Sequence, residues 1–524
     1  MARTRKTPPA AVSTAQRLAS ILKAARDIMR KDKGMNGDLD RLPMLTWLLF
    51  LKFLDDSERI AEQEAALAGR PFEPLISAPY RWRDWGACGS AITGPELLAF
   101  INNEEAVLLD GSRGPGLLTY LRSLVSDSGA GRPEVVANVF RGVVNRMESG
   151  YLLRDVLERI DEVHFDSSDE IHTLSHLYES MLREMRDAAG DSGEFYTPRP
   201  VVRFMVEAVA PRLGEVVLDP ACGTGGFLVE AYTHLAATAK TVEHRRTLQE
   251  ISLKGQEAKP LPYMLAQMNL LLHGLDYPDV QYGNTLTAKL AEIGDRERVD
   301  VVLTNPPFGG EEEAAIKHNF PPDMQTSETA LLFLQYIMRK LRRPVSGHGA
   351  GRAAVVVPNG LLFADGVSAR IKEALVKNFN LHTIVRLPNG VFSPYTPIPT
   401  NILFFDRTGP TAGVWYYELT PPEGRKNYTK TKPLQFEEFA DCLRWFMAPA
   451  GEREGTERAW HVPIEGILQY DAAGQLINCN LDQRNPHAPE ELASRPPAEL
   501  LAHALEKEHE ILAMLEKLRG ELDG

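Results

Sequence analysis

Between residues 215 and 405, short apolar runs alternate with segments of helical spacing, and that alternation constrains the fold more than any other feature of the chain. The runs lie at 215–218, 280–282, 299–304, 353–357, 383–387 and 402–405. Apolar runs of this length, bounded by turn residues, read as buried strands. Strands separated by helices of about 10–15 residues build a largely parallel sheet covered by helices, so the expected fold class is α/β. Val301, Val302, Val355, Val356 and Val357 supply the β-branched side chains that central strands favour. Open sheets of this kind bind their ligands outside the C-terminal edge of the strands, so the residues that close each run are the first candidates for a site.

The flanks read differently. Leu18, Ile21, Leu22, Ala25 and Ile28 fall at helical spacing after Ser13 or Thr14 as N-cap, and 42–53, 117–124 and 137–147 continue the helical pattern around a Gly/Pro/Trp-rich loop at 70–95. Residues 1–165 are therefore expected to form an N-terminal helical domain that scaffolds or docks. A helix at 171–185, a loop at 190–200 and a helix at 201–210 lead into the sheet, and 166–430 is the expected catalytic domain. In 431–524, Pro486, Pro496 and Pro497 break up a polar connector. Leu501, Leu505, Ile511, Leu512, Leu515 and Leu518 then mark a terminal amphipathic helix, to be buried on its own domain or on a partner.

Across 524 residues the net charge is −13, so the basic footprint of a self-sufficient DNA binder is missing apart from short patches at 339–340 and 342–343. A DNA substrate would then take most of its phosphate contacts from another polypeptide. Cys88, Cys222, Cys442 and Cys479 lie far apart, in neither zinc nor disulfide spacing, which fits a reducing cytoplasm. The basic N-terminus lacks the apolar core of a secretory signal, and no apolar stretch has the length of a membrane span, so no membrane partner is expected.

The run at 299–304 ends in Asn305, Pro306, Pro307 and Phe308. An Asn side-chain oxygen and the carbonyl of the next residue can both accept from one exocyclic amine. The paired prolines hold that carbonyl still, because the ring fixes φ and keeps the preceding residue extended. Phe308 can stack on the heterocycle that carries the amine. Asn-Pro-Pro also occurs in ordinary turns, so its meaning depends on a donor site elsewhere. Val216 to Phe227 offers one, in a strand, glycine loop, helix order: Asp219 ends the strand, then come Gly223, Thr224, Gly225, Gly226 and Phe227. No Gly-Lys-Ser/Thr follows, so a nucleoside triphosphate loop matches poorly. A dinucleotide fingerprint remains open from the glycines alone, but Asp219 would repel pyrophosphate and suits a cation such as the ammonium of S-adenosyl-L-methionine. Glu257, at the tip of the next strand, can accept two ribose hydroxyls, and Asn284 and Thr285 can meet an adenine edge. Each alone is also an ordinary helix-start or turn residue. Cys222 reads as a small packing residue.

Five stretches together resemble the modification subunit of type I restriction–modification systems, an adenine-N6 DNA methyltransferase family: 194–199 (Glu-Phe-Tyr-Thr-Pro-Arg), 219–227, 305–308, 356–360 and 385–392. The likeness covers nearly the whole chain. It implies the S-adenosylmethionine-dependent methyltransferase fold, a Rossmann-like mixed sheet of seven strands with its last strand, 402–405, antiparallel, carrying an N-terminal helical domain and a C-terminal helical tail. It implies that Phe195, Tyr196, Thr197 and Pro198 line the methionine side of the donor pocket, with Glu194 also among the cofactor-binding residues. It implies a site-specific DNA adenine-N6 methyltransferase on double-stranded DNA, with sequence choice delegated to a specificity subunit. Two modification subunits would join one specificity subunit, and a restriction–translocation subunit would join for cleavage. The duplex base would be flipped out and held by Asn305 and the Pro306 carbonyl, with no metal, covalent cysteine or strong base. A solitary adenine methyltransferase, a protein-glutamine methyltransferase and a non-catalytic assembly subunit are the alternatives. Asn359-Gly360 and Asn389-Gly390 read as turns at the same sheet edge, and 311–313 as a polar loop that is solvated or closes over the base.

Overall fold

A computed structural model describes residues 14–125, 132–165, 168–188, 197–276, 278–344, 349–393, 396–425, 427–429, 431–449 and 451–487. The expected terminal helix and Glu194, Phe195 and Tyr196 lie outside the described residues.

One sheet organises the chain. Its strands are β1 (Val217–Asp219), β2 (Leu253–Glu257), β3 (Asp279–Tyr282), β4 (Val301–Thr304), β5 (Arg352–Pro358), β6 (Asn380–Arg386), β7 (Thr400–Asp406), β8 (Gly413–Glu418) and β9 (Ala459–Pro463). The order in space is β9-β8-β6-β7-β5-β4-β1-β2-β3. From β3 through β5 every pairing is parallel, with Val217 opposite both Leu253 and Val301 and Val301 opposite Arg352. β7 runs antiparallel between β5 and β6. The seven strands implied by the resemblance are thus present, including the antiparallel one. Two more extend the β6 edge: β8 pairs parallel with β6 and β9 antiparallel with β8. Neither appears among the six apolar runs, and β9 lies within the range expected to be a C-terminal extension.

Successive strand residues point to opposite faces, and both faces are buried. Val217, Leu303, Val356, Ile402 and Phe404 belong to one apolar cluster, while Leu218, Val302, Val355, Leu403 and Phe405 belong to another. The second cluster is closed by the helices Thr329–Lys340 and Val367–Asn378. The first is closed by Arg199–Val209, Gly226–Ala236 and Pro260–Leu272, and it continues without a break into the N-terminal helices.

The first two N-terminal helices and Leu117–Arg122 form where the periodicity places them, but the helix expected at 137–147 runs Arg132–Arg141, and Gly94–Asn102 and Gly150–Asp161 were not foreseen. Thr14–Met29 buries Leu18, Ile21, Leu22, Ala25 and Met29 along one stripe. Asp38–Leu67 is buried almost all round between Leu42 and Asp56, so even its i,i+4 pair Lys52–Asp56, at 2.9 Å, is out of solvent. Trp47 and Phe50 meet Phe140 edge-on at 6.3 and 6.0 Å. Inside the stretch expected to be a loop at 70–95, the buried Trp82 and Trp85 sit on a single helical turn. A small hairpin, Glu105–Val107 with Arg113–Pro115, interrupts the helices.

Candidate active site

At the C-terminal edge β1 sits between β2–β3 on one side and β4–β5 on the other, the switch point where doubly wound sheets open a crevice. A cavity of about 160 Å³ occupies it. Thr197, Asp219, Gly223, Thr224, Gly226, Phe227, Glu257, Asn284, Thr285, Asn305 and Pro307 all line it, brought from five separate stretches of sequence. Pro198, Gly225, Pro306 and Phe308 do not face the cavity.

The loop after β1 turns sharply. Gly225 has φ +78 and is the N-cap of the helix Gly226–Ala236; a left-handed cap favours glycine, and it aims the positive end of that helix at the cavity. Asp219 is 1% exposed. Its Oδ1 accepts from Thr304 Oγ1 at 2.7 Å and from the Ala221 N–H at 3.2 Å, which leaves Oδ2 as the oxygen available to a ligand. The Thr304 bond also ties the end of β4, and so the Asn-Pro-Pro-Phe group, to the donor loop. Burial pushes the Asp219 carboxyl up to about 7, against those two hydrogen bonds, and Glu257 adds like-charge repulsion.

Glu257 is held from both sides: Oε2 accepts from the Gly223 N–H at 3.0 Å and Oε1 from the Lys259 N–H at 2.8 Å. Burial raises its pKa, and the same backbone bonds oppose the rise. Asn284 Oδ1 caps the turn that follows β3 by accepting from the Leu286 N–H at 2.9 Å, and its Nδ2 donates to Glu312 Oε2 at 3.1 Å. Thr285 is buried, with its hydroxyl given to the Pro220 carbonyl at 2.5 Å, so its part in the site is to anchor the Asp-Pro turn. Cys222 is buried, and burial drives its thiol well above the ordinary value, as a packing residue requires and a nucleophile does not.

Asn305 carries the sharpest feature. Its Nδ2 donates to Thr197 Oγ1 at 3.0 Å, while Oδ1 is buried and has no hydrogen-bond partner among the described residues. An unpaired buried acceptor costs about 1–3 kcal/mol, a cost that a ligand amine would remove. Phe308 turns from the cavity to meet Phe392 edge-on at 5.6 Å and 80°, which joins the 305–308 and 385–392 stretches.

Arg199, Lys259, Glu312 and Phe333 also line the cavity; sequence reasoning had no role for Arg199, Lys259 or Phe333, and had Glu312 only within the loop at 311–313. Arg199 had a readable signal: a cation in the first turn of a helix opposes the helix dipole and needs another reason to be there. Its Nη1 donates to the Gly226 carbonyl at 2.7 Å and its Nε to Glu179 Oε2 at 2.8 Å, so it joins the helix Ser168–Ala188 to the donor helix. Burial pulls its pKa down to about 10, against the pull of Glu230. Glu312, in the polar loop read as solvated or closing, is fixed by Asn284 and by its N–H to the Ser327 carbonyl at 3.2 Å. Phe333 had no local signal beyond helical apolar spacing.

Of the two Asn-Gly pairs expected as turns, Asn389-Gly390 is one, whereas Asn359-Gly360 opens the short helix Asn359–Phe363. Asn359 Oδ1 accepts from Asn401 Nδ2 at 2.9 Å, linking β5 to β7. Gly390, at φ +80, passes so close to Tyr428 that an added Cβ would lie 2.3 Å from its carbonyl oxygen. The basic patches lie at the far, N-terminal edge of the sheet. There Arg339 Nε donates to the Leu290 carbonyl at 2.8 Å and Arg342 pairs with Asp300 at 2.8 Å. Among the described residues no helix is long and apolar enough to cross a membrane.

Residues 169–479 match the N-6 DNA methylase family and residues 18–108 match the HsdM N-terminal domain. Over 508 residues the chain is 44% identical to the type I restriction enzyme EcoEI methylase subunit of Escherichia coli, spanning 96% of this chain and 97% of that one. A solved structure from Vibrio vulnificus YJ016, of a protein assigned as a type I restriction enzyme modification subunit, is 64% identical with a TM-score of 0.82. It covers 92% of this chain and 99% of its own. A second, from work on assembly and conformational transition of a type I restriction–modification system, is 41% identical with a TM-score of 0.76 over 98% and 99%. An α/β sheet with a glycine loop and Asn305 lining one cavity, and this likeness along nearly the entire length, lead to one assignment: the chain belongs to the N-6 DNA methylase family, as a modification subunit of the type I restriction–modification kind.

Proposed function

We propose that the cavity at the β1 switch point holds the methyl donor and that Asn305 receives the adenine amine beside it. The chain is a site-specific DNA adenine-N6 methyltransferase subunit of a type I restriction–modification complex and uses S-adenosyl-L-methionine. The observation that carries the site reading is the buried, unpaired Asn305 Oδ1 in the same cavity as Asp219 and Glu257.

Bound S-adenosyl-L-methionine supplies an activated methyl group on a sulfonium. Asp219 Oδ2 takes the donor's ammonium, and the rise of its pKa means that this cation also draws the proton off the carboxyl. Glu257 presents its free lone pairs to two ribose hydroxyls, its oxygens already fixed by Gly223 and Lys259. Gly223, Thr224, Gly226 and Phe227 shape the wall, with Gly225 turning the chain behind them; Asn284 closes the adenine side while Thr285 anchors the Asp-Pro turn beside it, and we assign Glu194, Phe195 and Tyr196 to the methionine side, with Pro198 supporting that segment from outside the cavity. Adenine in a duplex is out of reach, so the base is flipped out. Asn305 Oδ1 and the Pro306 carbonyl accept the two N6–H bonds, which turns the nitrogen lone pair toward the methyl. Held this way, the nitrogen would take the methyl as the S–CH3 bond of the bound donor gave way to the new N–CH3 bond, with one N6 proton passing to solvent. Pro307 stiffens the pair and Phe308 gives its ring to the base or to Phe392. Alignment at short range supplies much of the rate.

Docking belongs to the helical front, 1–165, and to the extension, 431–524, on either side of the catalytic 166–430. The partners are double-stranded DNA, a specificity subunit that chooses the site, a second copy of this subunit on the same specificity subunit, and a restriction–translocation subunit. The cytoplasm is where they meet. A protein-glutamine substrate offers the same NH2 group, and the family assignment favours DNA over it.

The test is Asn305→Ala in the complex with the specificity subunit. We expect methyl transfer to DNA to fall by about 10²-fold or more, as when one aligned transition-state hydrogen bond is lost, while calorimetry finds donor affinity within a few-fold of wild type. Undiminished transfer would reject the assignment.

A further inference from the structure

We propose that Thr197 is a positioning residue for Asn305, the hydroxyl that lets the catalytic amide face an amine without stranding its own N–H. The inference rests on Asn305 as the amine acceptor. It departs from the expectation that Thr197 serves the methionine side of the donor pocket.

A carboxamide has one accepting and one donating end, and both ends of Asn305 are confined at the mouth of β4. When Oδ1 accepts from adenine N6, Nδ2 is turned the other way and must find an acceptor or lose a buried hydrogen bond. Thr197 Oγ1 is that acceptor, at 3.0 Å, and the contact joins residues 108 apart in sequence. A hydroxyl both donates and accepts, so Thr197 would also tolerate the reversed amide. Its contribution is to satisfy Nδ2 in the orientation that leaves Oδ1 to the amine. Valine at 197 has nearly the same shape but can neither accept nor donate, so it strands the buried N–H in the orientation that catalysis uses.

Thr197 is also well placed to hold still. It precedes the helix Arg199–Val209, whose first residue is clamped by Glu179 and the Gly226 carbonyl. The backbone that carries the hydroxyl is thereby tied to the same donor helix that borders the cavity. Glu179 and the Gly226 carbonyl fix Arg199, two residues along the chain from Thr197, and the Thr197 hydroxyl meets the amide.

The experiment compares Thr197→Val, Thr197→Ser and Asn305→Ala in the full-length chain assembled with its specificity subunit, on unmodified DNA carrying the cognate site. Three quantities are read: donor affinity by calorimetry, kcat at saturating donor and DNA, and KM for the donor. We expect Thr197→Val to lower kcat by about 5- to 100-fold, the range for stranding one buried N–H. Its donor affinity and donor KM should stay within about threefold, and serine should recover most of the loss. If valine instead weakens donor binding in proportion to activity, Thr197 is a donor contact and the proposal fails. Full activity in the valine variant overturns it as well, as does a serine variant no better than valine. Asn305→Ala separates this failure from the larger one: an inactive alanine variant beside an active valine variant sinks only the role of Thr197, whereas an active alanine variant sinks the amine-acceptor reading on which it stands.

Discussion

Replacing Asp219 with asparagine should make the protein more stable and a worse binder of its donor, and both magnitudes follow from the geometry. Both hydrogen bonds to the side chain end on Oδ1, from Thr304 and from the Ala221 N–H, and an asparagine oxygen keeps them. What changes is the charge on the other atom. The folded carboxyl has its pKa raised to about 7 from an ordinary 3.8, so the folded state holds a proton that the unfolded state releases. Well below pH 3.8 both states are protonated and the group costs nothing. As pH rises from there to 7 the unfolded state ionises first, and folding loses stability, to a plateau above pH 7. With about 1.36 kcal/mol per pKa unit, the plateau is of order 4 kcal/mol, and at pH 5 the penalty is only about 1–2 kcal/mol. Asparagine escapes this penalty. Its advantage in thermal unfolding should be several degrees at pH 8 and should shrink by half or more at pH 5. Donor affinity, by contrast, loses a charge-assisted hydrogen bond, about 1.5–3 kcal/mol or roughly 10- to 150-fold. Calorimetry with S-adenosyl-L-methionine and melting curves at the two pH values test both halves. An asparagine variant that melts with the same pH dependence as wild type, or binds the donor as tightly, would refute the reasoning.

Glu257→Gln should raise KM for the donor by about 10- to 100-fold with kcat largely kept, because both carboxylate oxygens accept backbone N–H bonds and a glutamine must point its own NH2 at one of them; steady-state kinetics with varied donor reads this, and an unchanged KM rejects it. Gly390→Ala should destabilise the fold by about 1–3 kcal/mol from its positive φ alone, and by more because the new methyl would sit 2.3 Å from the Tyr428 carbonyl oxygen. Denaturant unfolding checks the loss, and a variant as stable as wild type would show that this turn can relax.

The parts of the fold legible in sequence were those with a local signal. Val301 to Thr304 is apolar at nearly every position because both faces of β4 are buried, and Asp219, Glu257 and Asn305 mark strand ends because a polar residue closes each run. β8 and β9 hide because Gly413–Glu418 and Ala459–Pro463 are rich in Trp, Tyr and His, and they lie beyond the regular alternation of strand and helix. The site was legible as a set of strand-end residues but not as a network. Thr197 pairing with Asn305, Arg199 reaching Gly226 and Glu312 bonded to Asn284 depend on the closing of distant segments, and no local spacing encodes that. The short basic patches, the one exception to a missing DNA footprint, have structural partners: Arg339 and Arg342 satisfy carbonyl and carboxylate groups at the edge of the sheet away from the cavity.

The continuous apolar cluster beneath the donor loop has a further consequence, for how the protein comes apart. Leu18, Trp47, Leu182, Met205, Leu228 and Met268 share one core, although the sequence divides them between a helical front and a methyltransferase body. Such a core opens as a cooperative unit, whose free energy of opening is set by all the helices that close it. Severing the chain near residue 166 would therefore bare the apolar backs of Ser168–Ala188 and Pro260–Leu272, which pack on the N-terminal helices, and the wall of the cavity would inherit the instability. A boundary that is plain in the order of residues is, in the energetics of unfolding, no boundary at all.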